Sequence, residues 1–574
     1  MCGILLTSGM NVPFSHRMLD SLRRRGPDGV GFWCNEQVNL AHTRLAILGL
    51  DQRSAEPMEN EKHVIAYNGE IYNFIEIQKK IQDQGIDLHA PNDANVLLHA
   101  WSLWGEKILK ELVGFWAFVV YDKEKKTLTL VRDQLGIKPL YYSVTGNGIC
   151  VSSLLKTISE LLVDERELDF EAMSEYVRYQ FTFGDKTFFK SIKKVPPGHI
   201  VEIDIESKKV SSRCYEDLIL QGGNDDSREP TVEDLVCLKE LLRECVLQST
   251  ISDTQITTLC SGGLDSSLVT SIVQPEIAYH CNYSSPDFNE TYYAQLVTEN
   301  LPTRLFVVNA SEKFNLVDRL SDIINDFDEL TIGSVILPLD DLFSQVKRRY
   351  KVILTGTGGD EFFGGYVRYM MALGRCNQDR YRQLYNKVMK LKSIPERFEL
   401  CHRKGNPTIY GFYDPAVEQS FKDEFESCRT NCDEFSAMLR FDQKYFLRGL
   451  LNIEDKMAGR HGLETRPSLL NQHFLRKIKS LRLTDSELEL KPTLKQLAQG
   501  TIPQNIIARK DKMGFTTPVG HFVNDASHLI RERIMDSRFR DFYRLKQFKF
   551  TAETAYSREV FGLLMLDLWL DRYA

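Results

Sequence analysis

Residues 256–267 read ITTLCSGGLDSS, and this stretch decides how the second half of the chain folds. The run ITTL has the β-branched composition of a strand, and the two glycines at 262 and 263 permit a tight turn. A helix is predicted from about Ser266. Because the N–H groups of a glycine turn and of a helix N-terminus can hold an anion, the stretch predicts a β-turn-α unit that binds phosphate.

A second strand runs into glycines about 100 residues later. Residues 351–354 read KVIL, and residues 355–366 continue as TGTGGDEFFGGY. Two such strands favour a parallel sheet whose ligands lie at its carboxyl edge. The turn at 261–267 is neither the lysine-containing Walker loop nor the dinucleotide fingerprint. Beyond about Tyr366 the pattern is mostly helical.

The first 204 residues have a different character, with short β-rich runs broken by turn residues. Helical periodicity separates some of these runs, and an α+β layered domain is therefore predicted. A polar segment at 221–230 breaks the apolar pattern and is the best candidate for a linker. The predicted strands span 64–67, 115–121, 128–131 and 199–203, and the predicted helices span 73–84, 94–104 and 232–248.

Composition narrows the classes of partner. The 574 residues include 72 Lys and Arg against 79 Asp and Glu, a net charge of −7, so no overall basic field attracts nucleic acid or an anionic membrane. The 12 cysteines are irregularly spaced and are expected to be mostly reduced. No basic leader and no run of about 18 apolar residues is present, so a cytoplasmic protein is expected.

Cys2 is a candidate nucleophile. If Met1 is removed, the α-amino group of Cys2, with an ordinary pKa of roughly 7.7–8.0, can act as the base for the thiol of the same residue. Position alone is weak support for this role, since any protein can carry a cysteine there.

Five motifs in order along the chain strengthen the assignment of Cys2 as a nucleophile. They are MCGI at 1–4, RGPD at 25–28, HTRLAI at 42–47, YNGEIYN at 67–73 and RDQLGIKPLYY at 132–142. Together they resemble the glutaminase domain of class II glutamine amidotransferases. The resemblance implies an N-terminal nucleophile (Ntn) hydrolase αββα sandwich over residues 2–207, followed by a linker at 208–230. It also implies roles for six residues: Cys2 as nucleophile, Asn68 and Gly69 as donors to the oxyanion, and Arg44, Glu70 and Asp93, with Asn68 and Gly69, as glutamine-binding residues.

The second half carries a resemblance of its own. The loop at 261–267 resembles that of ATP pyrophosphatases, and the loop at 355–366 resembles that of asparagine synthetases, as do the segments at 454–466 and 510–518. An α/β parallel-sheet PP-loop ATP pyrophosphatase domain with many helices is implied for residues 231–574. The implied ATP-binding residues are Leu259, Ser261, Gly262, Gly263, Asp265, Ser266 and Gly356.

The order of the two halves is that of glutamine-hydrolysing asparagine synthetases. The resemblance implies ATP and Mg²⁺ as cofactors, with Asp265 and Asp360 as metal ligands and Lys512 and Glu464 as further catalytic residues. It implies glutamine, ATP and a carboxylate acceptor as the small-molecule partners, and a homodimer is a family expectation. Cys2 would release ammonia from glutamine, and the second half would adenylate the acceptor, most readily aspartate, for attack by that ammonia.

Several positions depart from the family pattern. Thr357 stands where asparagine synthetases usually have a glutamate, and threonine cannot serve as an equivalent base. Either Glu464 or another group takes that role, or the acceptor differs from aspartate. In the first half, Glu56 precedes Pro57 where the family usually has glutamine. Arg460 either recognises a second carboxylate or phosphate or is a solvent-facing arginine.

Three alternatives therefore stay open. The enzyme can amidate another carboxylate, such as a uronic acid or a natural-product or cell-surface sugar precursor, or close an intramolecular amide. It can act as a glutamine hydrolase only. Finally, the chain can be a non-catalytic relative, although both Cys2 and the loop at 261–267 are complete.

Overall fold

The computed structural model of the chain describes residues 1–10, 16–88, 92–219, 228–331, 333–376, 381–404, 410–479, 481, 489–509, 517–543 and 557–574. The first part folds around two antiparallel sheets of six strands each, with orders β10-β8-β9-β1-β3-β2 and β12-β11-β7-β6-β5-β4. The strands are β1 (Gly3–Ser8), β2 (Gly29–Cys34), β3 (Val38–Arg44), β4 (Met58–Glu59), β5 (His63–Ile71), β6 (Gly114–Asp122), β7 (Thr127–Arg132), β8 (Tyr141–Thr145), β9 (Gly148–Ser152), β10 (Lys193–Lys194), β11 (His199–Asp204) and β12 (Val210–Cys214).

The two sheets pack face to face between layers of helix. Alternate residues of a strand point to opposite faces, so Ile4 and Leu6 lie in a buried cluster with side chains of the second sheet, whereas Leu5 faces the helices behind the first sheet. The second sheet is covered on its outer face by α1 and α2. This αββα layering agrees with the predicted α+β domain. The α-helices among the described residues of this part are α1 (Phe74–Gln82), α2 (Asp93–Trp104), α3 (Leu155–Leu161) and α4 (Phe170–Tyr179).

The sequence-predicted strands and helices of this part all form, several of them longer than the pattern indicated. The sheet also continues past residue 207, because β12 pairs antiparallel with β11 from His199↔Cys214 to Ile203↔Val210. The first residues of the predicted linker at 208–230 therefore belong to the sheet. Residues 220–227 of that segment lie outside the described residues.

The second part is built on a parallel sheet of five strands in the order β15-β14-β13-β16-β17. From β13 the chain proceeds to β14 and β15 on one side, and from β16 to β17 on the other. The gap between the ends of β13 and β16 is thus a topological switch point, where ligands of open α/β sheets bind. The strands are β13 (Ile256–Leu259), β14 (Ile277–Asn282), β15 (Arg304–Asn309), β16 (Val352–Thr355) and β17 (Glu464–Pro467).

Helices surround this sheet and extend beyond it, as the sequence predicted. The first, α5, begins with a capping box in which Thr231 and Asp234 satisfy each other's backbone N–H groups. No helix in the described ranges is both long and apolar enough to cross a lipid bilayer. The helices are α5 (Val232–Gln248), α6 (Leu264–Val273), α7 (Thr291–Thr298), α8 (Leu316–Ile324), α9 (Ile336–Val346), α10 (Gly359–Phe363), α11 (Val367–Ala372), α12 (Arg382–Val388), α13 (Ile394–His402), α14 (Ala416–Arg429), α15 (Glu434–Phe441), α16 (Leu447–Arg460), α17 (Gln472–Lys479), α18 (Pro492–Ala498), α19 (Gln504–Ile507), α20 (Val519–Asp525), α21 (Ser527–Asp536) and α22 (Ser557–Tyr573).

Candidate active sites

The Cys2 thiol lies just before β1 and beside the chain that follows β3. The backbone N–H of Leu45 points at Cys2 Sγ at 3.5 Å, and burial raises the pKa of the thiol. The structure carries Met1, whose nitrogen donates to the Leu463 carbonyl at 3.1 Å, so the Cys2 nitrogen is here a peptide N–H. That N–H donates to Asn68 Oδ1 at 3.0 Å. The two residues expected to form the thioester site are therefore adjacent.

Asn68 and Gly69 sit in the middle of β5. Asn68 is fully buried, and its Nδ2 has no hydrogen-bond partner among the described residues. A Cβ on Gly69 would overlap the Phe115 carbonyl oxygen and lie 2.8 Å from Trp116 Cα, so only glycine fits this close approach. A buried amide donor with no partner beside a thiol suits the binding of an oxyanion.

Of the residues expected to hold glutamine, Arg44 and Asp93 already form hydrogen bonds within the protein. Arg44 donates to the Asp51 carbonyl at 2.9 Å and to the Leu48 carbonyl at 3.2 Å. Asp93 accepts from the Tyr67 hydroxyl at 3.0 Å, and burial raises the pKa of its carboxyl to about 6. Glu70 lies deeper.

Glu70 pairs with Arg466 of the second part at 3.0 Å. Arg466 also donates at 2.8 Å to Glu464, which the sequence predicted to be catalytic. Glu464 lies 3.5 Å from Lys138 as well, and all four side chains are buried between the two parts of the chain. Glu464 therefore faces the first part and does not line the cavity described below.

Glu56, which the sequence marked only as a departure from the family pattern, lies near the Cys2 thiol. Its Oε2 accepts from the Tyr67 N–H at 2.6 Å, and its Oε1 lies 3.7 Å from His42 Nε2. Burial raises the pKa of Glu56 to about 8, and the nearby Cys2 thiol acts in the same direction.

The two glycine loops of the second part meet at the switch point. In the first loop, the Ser261 N–H donates to Ser266 Oγ at 3.1 Å, which ties the turn to the start of α6. A Cβ on Gly356 of the second loop would lie 2.7 Å from both the Asp265 carbonyl carbon and the Ser266 nitrogen. The loops can pack this closely because position 356 has no side chain.

A cavity of about 430 Å³ opens where the loops meet, within the usual size range for a small-molecule site. Most of the predicted nucleotide-site residues lie on its wall, whereas Gly262 and Gly263 shape the turn behind it. The wall residues from the predicted set are Leu259, Ser261, Asp265, Ser266, Gly356 and Asp360. Lys512 lies outside the described residues.

Sequence reasoning missed Lys491. Its Nζ lies 2.6 and 2.5 Å from the two carboxylate oxygens of Asp265 and 2.5 Å from Asp360 Oδ1. The two aspartates therefore converge on one point, and a pair of carboxylates facing phosphate loops fits the ligand preference of Mg²⁺. Lys491 lies just before α18 with a left-handed φ of 55°. No sequence motif marks it.

Glu454 was also missed as a cavity residue. It lies on α16 and lines the cavity, where Thr357 Oγ1 donates to its Oε1 and Thr355 Oγ1 donates to its Oε2 at 3.1 Å. Burial raises the pKa of Glu454 to about 7, although the two hydroxyl groups act in the opposite direction.

Arg460, by contrast, does not reach the cavity. Its guanidinium forms ion pairs with Asp340 at 3.0 Å and with Asp322 and Asp326, and its side chain is 8% exposed. Both interpretations of this residue from the sequence were wrong, because partners 120 to 138 residues away hold it inside the protein.

In a comparison with known proteins, two family models match the chain, one over its first part and one over its second. The family model described as a glutamine amidotransferase domain matches residues 1–216, and the model described as asparagine synthase matches residues 237–571. Asparagine synthetase (glutamine-hydrolyzing) 1 of Bacillus subtilis (strain 168) is 26% identical, with 91% of this chain and 87% of that protein covered. Asparagine synthetase (glutamine-hydrolyzing) 3 of the same organism is 25% identical, with 86% and 82% covered.

A putative asparagine synthetase (glutamine-hydrolyzing) 2 of Methanocaldococcus jannaschii is 28% identical, with 64% of this chain and 76% of that protein covered. Among solved structures, an allosteric regulatory enzyme of purine biosynthesis aligns over 62% of this chain and 74% of its own. The sequence identity is 14% and the TM-score 0.30, too low to support an argument.

Proposed function

This chain belongs to the asparagine synthase family, and we propose that it joins glutamine-derived ammonia to the side-chain carboxylate of aspartate at the expense of ATP. It is a glutamine-hydrolysing ligase of the asparagine synthetase type. One observation supports coupling of the two sites above all. Arg25 Nε donates to the Cys2 carbonyl at 3.0 Å, while its Nη1 lies 2.6 Å from Asp455, the residue after the cavity carboxylate Glu454.

In the first half-reaction, the Cys2 thiolate attacks the side-chain amide carbon of glutamine. The oxyanion that forms accepts hydrogen bonds from Asn68 Nδ2 and the Gly69 N–H, as the buried amide nitrogen, without a partner among the described residues, suggests. The C–N bond then breaks as the proton that the Cys2 amine took from the thiol passes to the leaving nitrogen, which departs as ammonia, and water hydrolyses the thioester to glutamate. The Cys2 amine, once Met1 is removed, is the base for the thiol.

In the second half-reaction, the acceptor carboxylate attacks the α-phosphorus of ATP and pyrophosphate leaves. Backbone N–H groups of the loop at 261–266 face the phosphates. Asp265 and Asp360 are the residues that would hold Mg²⁺, which supplies positive charge opposite the phosphates when it is bound. Lys512 adds a further positive charge in this proposal. Ammonia then attacks the acyl carbon, and AMP leaves as the amide forms.

Acceptor-dependent exchange of labelled pyrophosphate into ATP tests the adenylation step. We expect exchange with aspartate, and asparagine as the product with either glutamine or ammonium. Cys2→Ala should abolish the glutamine-dependent reaction and retain the ammonium-dependent one. Exchange with a uronic acid or another dicarboxylic acid, but not with aspartate, would contradict the assigned acceptor. No exchange with any acid tested would contradict ligase activity.

A further inference from the structure

We propose that Glu454 accepts the proton from the nitrogen that attacks the acyl-adenylate. The inference rests on the proposed function, since it assigns a group to one step of that reaction. Thr357 occupies the loop position where a glutamate is usual in the family, and its hydroxyl cannot act as an equivalent base. The carboxylate beside it comes from another element.

The geometry places both oxygens of Glu454 at the second loop. Oε1 accepts from Thr357 Oγ1, and Oε2 accepts from Thr355 Oγ1 at 3.1 Å. Each hydroxyl uses its one proton as a donor here, so the carboxylate is held in place by neutral groups. No cation contacts it within the described part of the chain. Its remaining lone pairs can therefore accept a proton from a ligand in the cavity.

The other carboxylates at or near the cavity are engaged differently. Asp265 and Asp360 both pair with Lys491. Glu361 accepts a hydrogen bond from the Tyr366 hydroxyl. Glu464 is paired with Lys138 and Arg466 away from the cavity. Glu454 differs from these carboxylates because two threonine hydroxyl groups hold it, one of them from Thr357, the residue that replaces the loop glutamate.

The environment also suits proton transfer near neutrality. Burial raises the pKa of Glu454 to about 7, and a base works best when its pKa lies near the working pH. The charged and titratable groups that share the cavity wall are Cys260, Asp265, His280, Cys281, Asp360, Glu361, Arg368 and Lys404, with Tyr279 and Tyr366. None of them forms an ion pair with Glu454 in the described residues.

The proton transfer to Glu454 follows formation of the C–N bond. The ammonia lone pair forms a C–N bond to the acyl carbon, and the carbonyl electron pair moves to oxygen. One N–H proton of the resulting ammonium passes to a Glu454 oxygen. The carbonyl then reforms as the acyl C–O bond to AMP breaks, leaving the amide and AMP.

Glu454→Gln tests the assignment, because glutamine has nearly the same volume and retains an acceptor oxygen for a threonine hydroxyl. With aspartate as acceptor, ATP–pyrophosphate exchange should stay within about 3-fold of wild type, since adenylation precedes the proton transfer. Asparagine formation from ammonium should fall by roughly 10²- to 10⁴-fold in kcat, the usual contribution of a general base. KM for ammonium should change little.

Two further measurements separate a base from a structural carboxylate. Hydroxylamine is a less basic nucleophile that loses its proton more readily. The factor by which Glu454→Gln slows amide formation should therefore be at least about tenfold smaller with hydroxylamine than with ammonium. The exchanged pair Thr357→Glu with Glu454→Thr returns a carboxylate to the loop. This double variant should form the amide from ammonium at least about tenfold faster than Glu454→Gln does. It also provides a second test if Glu454→Gln folds poorly.

The failures can be told apart. Loss of exchange together with amide formation in a folded Glu454→Gln would place Glu454 in adenylation and overturn the inference. Unchanged amide formation would overturn it too, while leaving the proposed function intact. Absence of exchange in the wild type with aspartate would reject the proposed function, and this inference with it.

Discussion

Arg25 and Asp455 form a buried ion pair that joins the two halves of the chain. Arg25 Nη1 lies 2.6 Å from Asp455 Oδ2 and Nη2 lies 3.2 Å from Oδ1, and each side chain is 3% exposed. The same guanidinium holds the Cys2 carbonyl. A shift of α16 at the cavity would therefore displace Arg25 and, through it, the backbone of Cys2.

Asp455→Asn should weaken this connection. The unpaired Arg25 charge would stay buried, and breaking one partner of such a pair typically costs about 3–5 kcal/mol of the free energy of unfolding. We also expect more glutamine to be hydrolysed per amide formed, because the link that Arg25 makes between Cys2 and α16 at the cavity is weakened. Urea unfolding and the ratio of glutamate to amide product measure the two effects.

Asp20→Asn is the matched control, since Asp20 pairs with Arg23 on the surface, where both side chains are at least half exposed. Its effect on unfolding should stay below about 1 kcal/mol. An Asp455→Asn protein with wild-type stability and an unchanged product ratio would refute the proposed connection.

Lys491→Met should make the cavity more responsive to Mg²⁺. Without the ammonium group, Asp265 and Asp360 repel each other, and the melting temperature should fall. A divalent cation can then replace the lost charge, so 10 mM Mg²⁺ should raise the melting temperature of the variant more than that of wild type. Thermal unfolding with and without Mg²⁺, in the absence of nucleotide, measures the difference.

Lys495→Met is the companion variant, since Lys495 lies one turn further along the same segment and pairs with Glu489 near the surface. It should respond to Mg²⁺ as the wild type does. Equal Mg²⁺ responses in Lys491→Met and wild type would show that the two aspartates do not bind the cation together.

The parts of this site that the sequence predicted are those with local signals. Cys2, the loop at 261–267 and the loop at 355–366 are each marked by neighbouring residues in the sequence. In the two loops, the order of strand, glycine turn and helix decides the local shape. The partners of these motifs come from distant segments. Lys491 lies 226 residues after Asp265, and Glu454 lies 97 residues after Thr357, so only the packed fold brings them together.

Glu464 is a further residue whose surroundings depend on the packing of distant segments. The resemblance implied a catalytic role for it, and β17 does run beside β16, which leads into the second loop. Its side chain, however, points between the two halves, where Lys138 and Arg466 surround it. The sequence pattern beyond Tyr366 predicted mostly helix and not β17, and which face of this strand meets the cavity follows from how the two parts of the chain pack.

Asn68→Ala should separate oxyanion stabilisation from substrate binding. Removing one donor to an oxyanion typically lowers kcat by about 10²- to 10³-fold. Ammonium-dependent amide formation should continue, because that reaction does not use the thioester site. Steady-state glutamine hydrolysis and ammonium-dependent synthesis, measured on the same preparation, test this. A variant that hydrolyses glutamine at the wild-type rate would contradict the role of Asn68.

Glu56→Gln should change how stability depends on pH. Burial raises the pKa of Glu56 from an ordinary value of 4.5 to about 8, and His42, Cys2 and Asp93 are the titratable groups acting on it. Since the folded state holds this proton more tightly than the unfolded state, the contribution to stability is fully present below about pH 4.5. It is lost progressively as pH rises to about 8.

Glutamine has no proton to lose there, and its oxygen can still accept from the Tyr67 N–H, so the variant should lack this loss. At about 1.4 kcal/mol per pKa unit, the variant should gain about 3–5 kcal/mol on wild type between pH 5 and pH 8.5. Urea unfolding at both pH values measures the gain. Glu59→Gln, at a half-exposed position beside Lys123, should show no such gain with pH. Parallel pH profiles for Glu56→Gln and wild type would show that Glu56 is ionised in the folded protein at neutral pH.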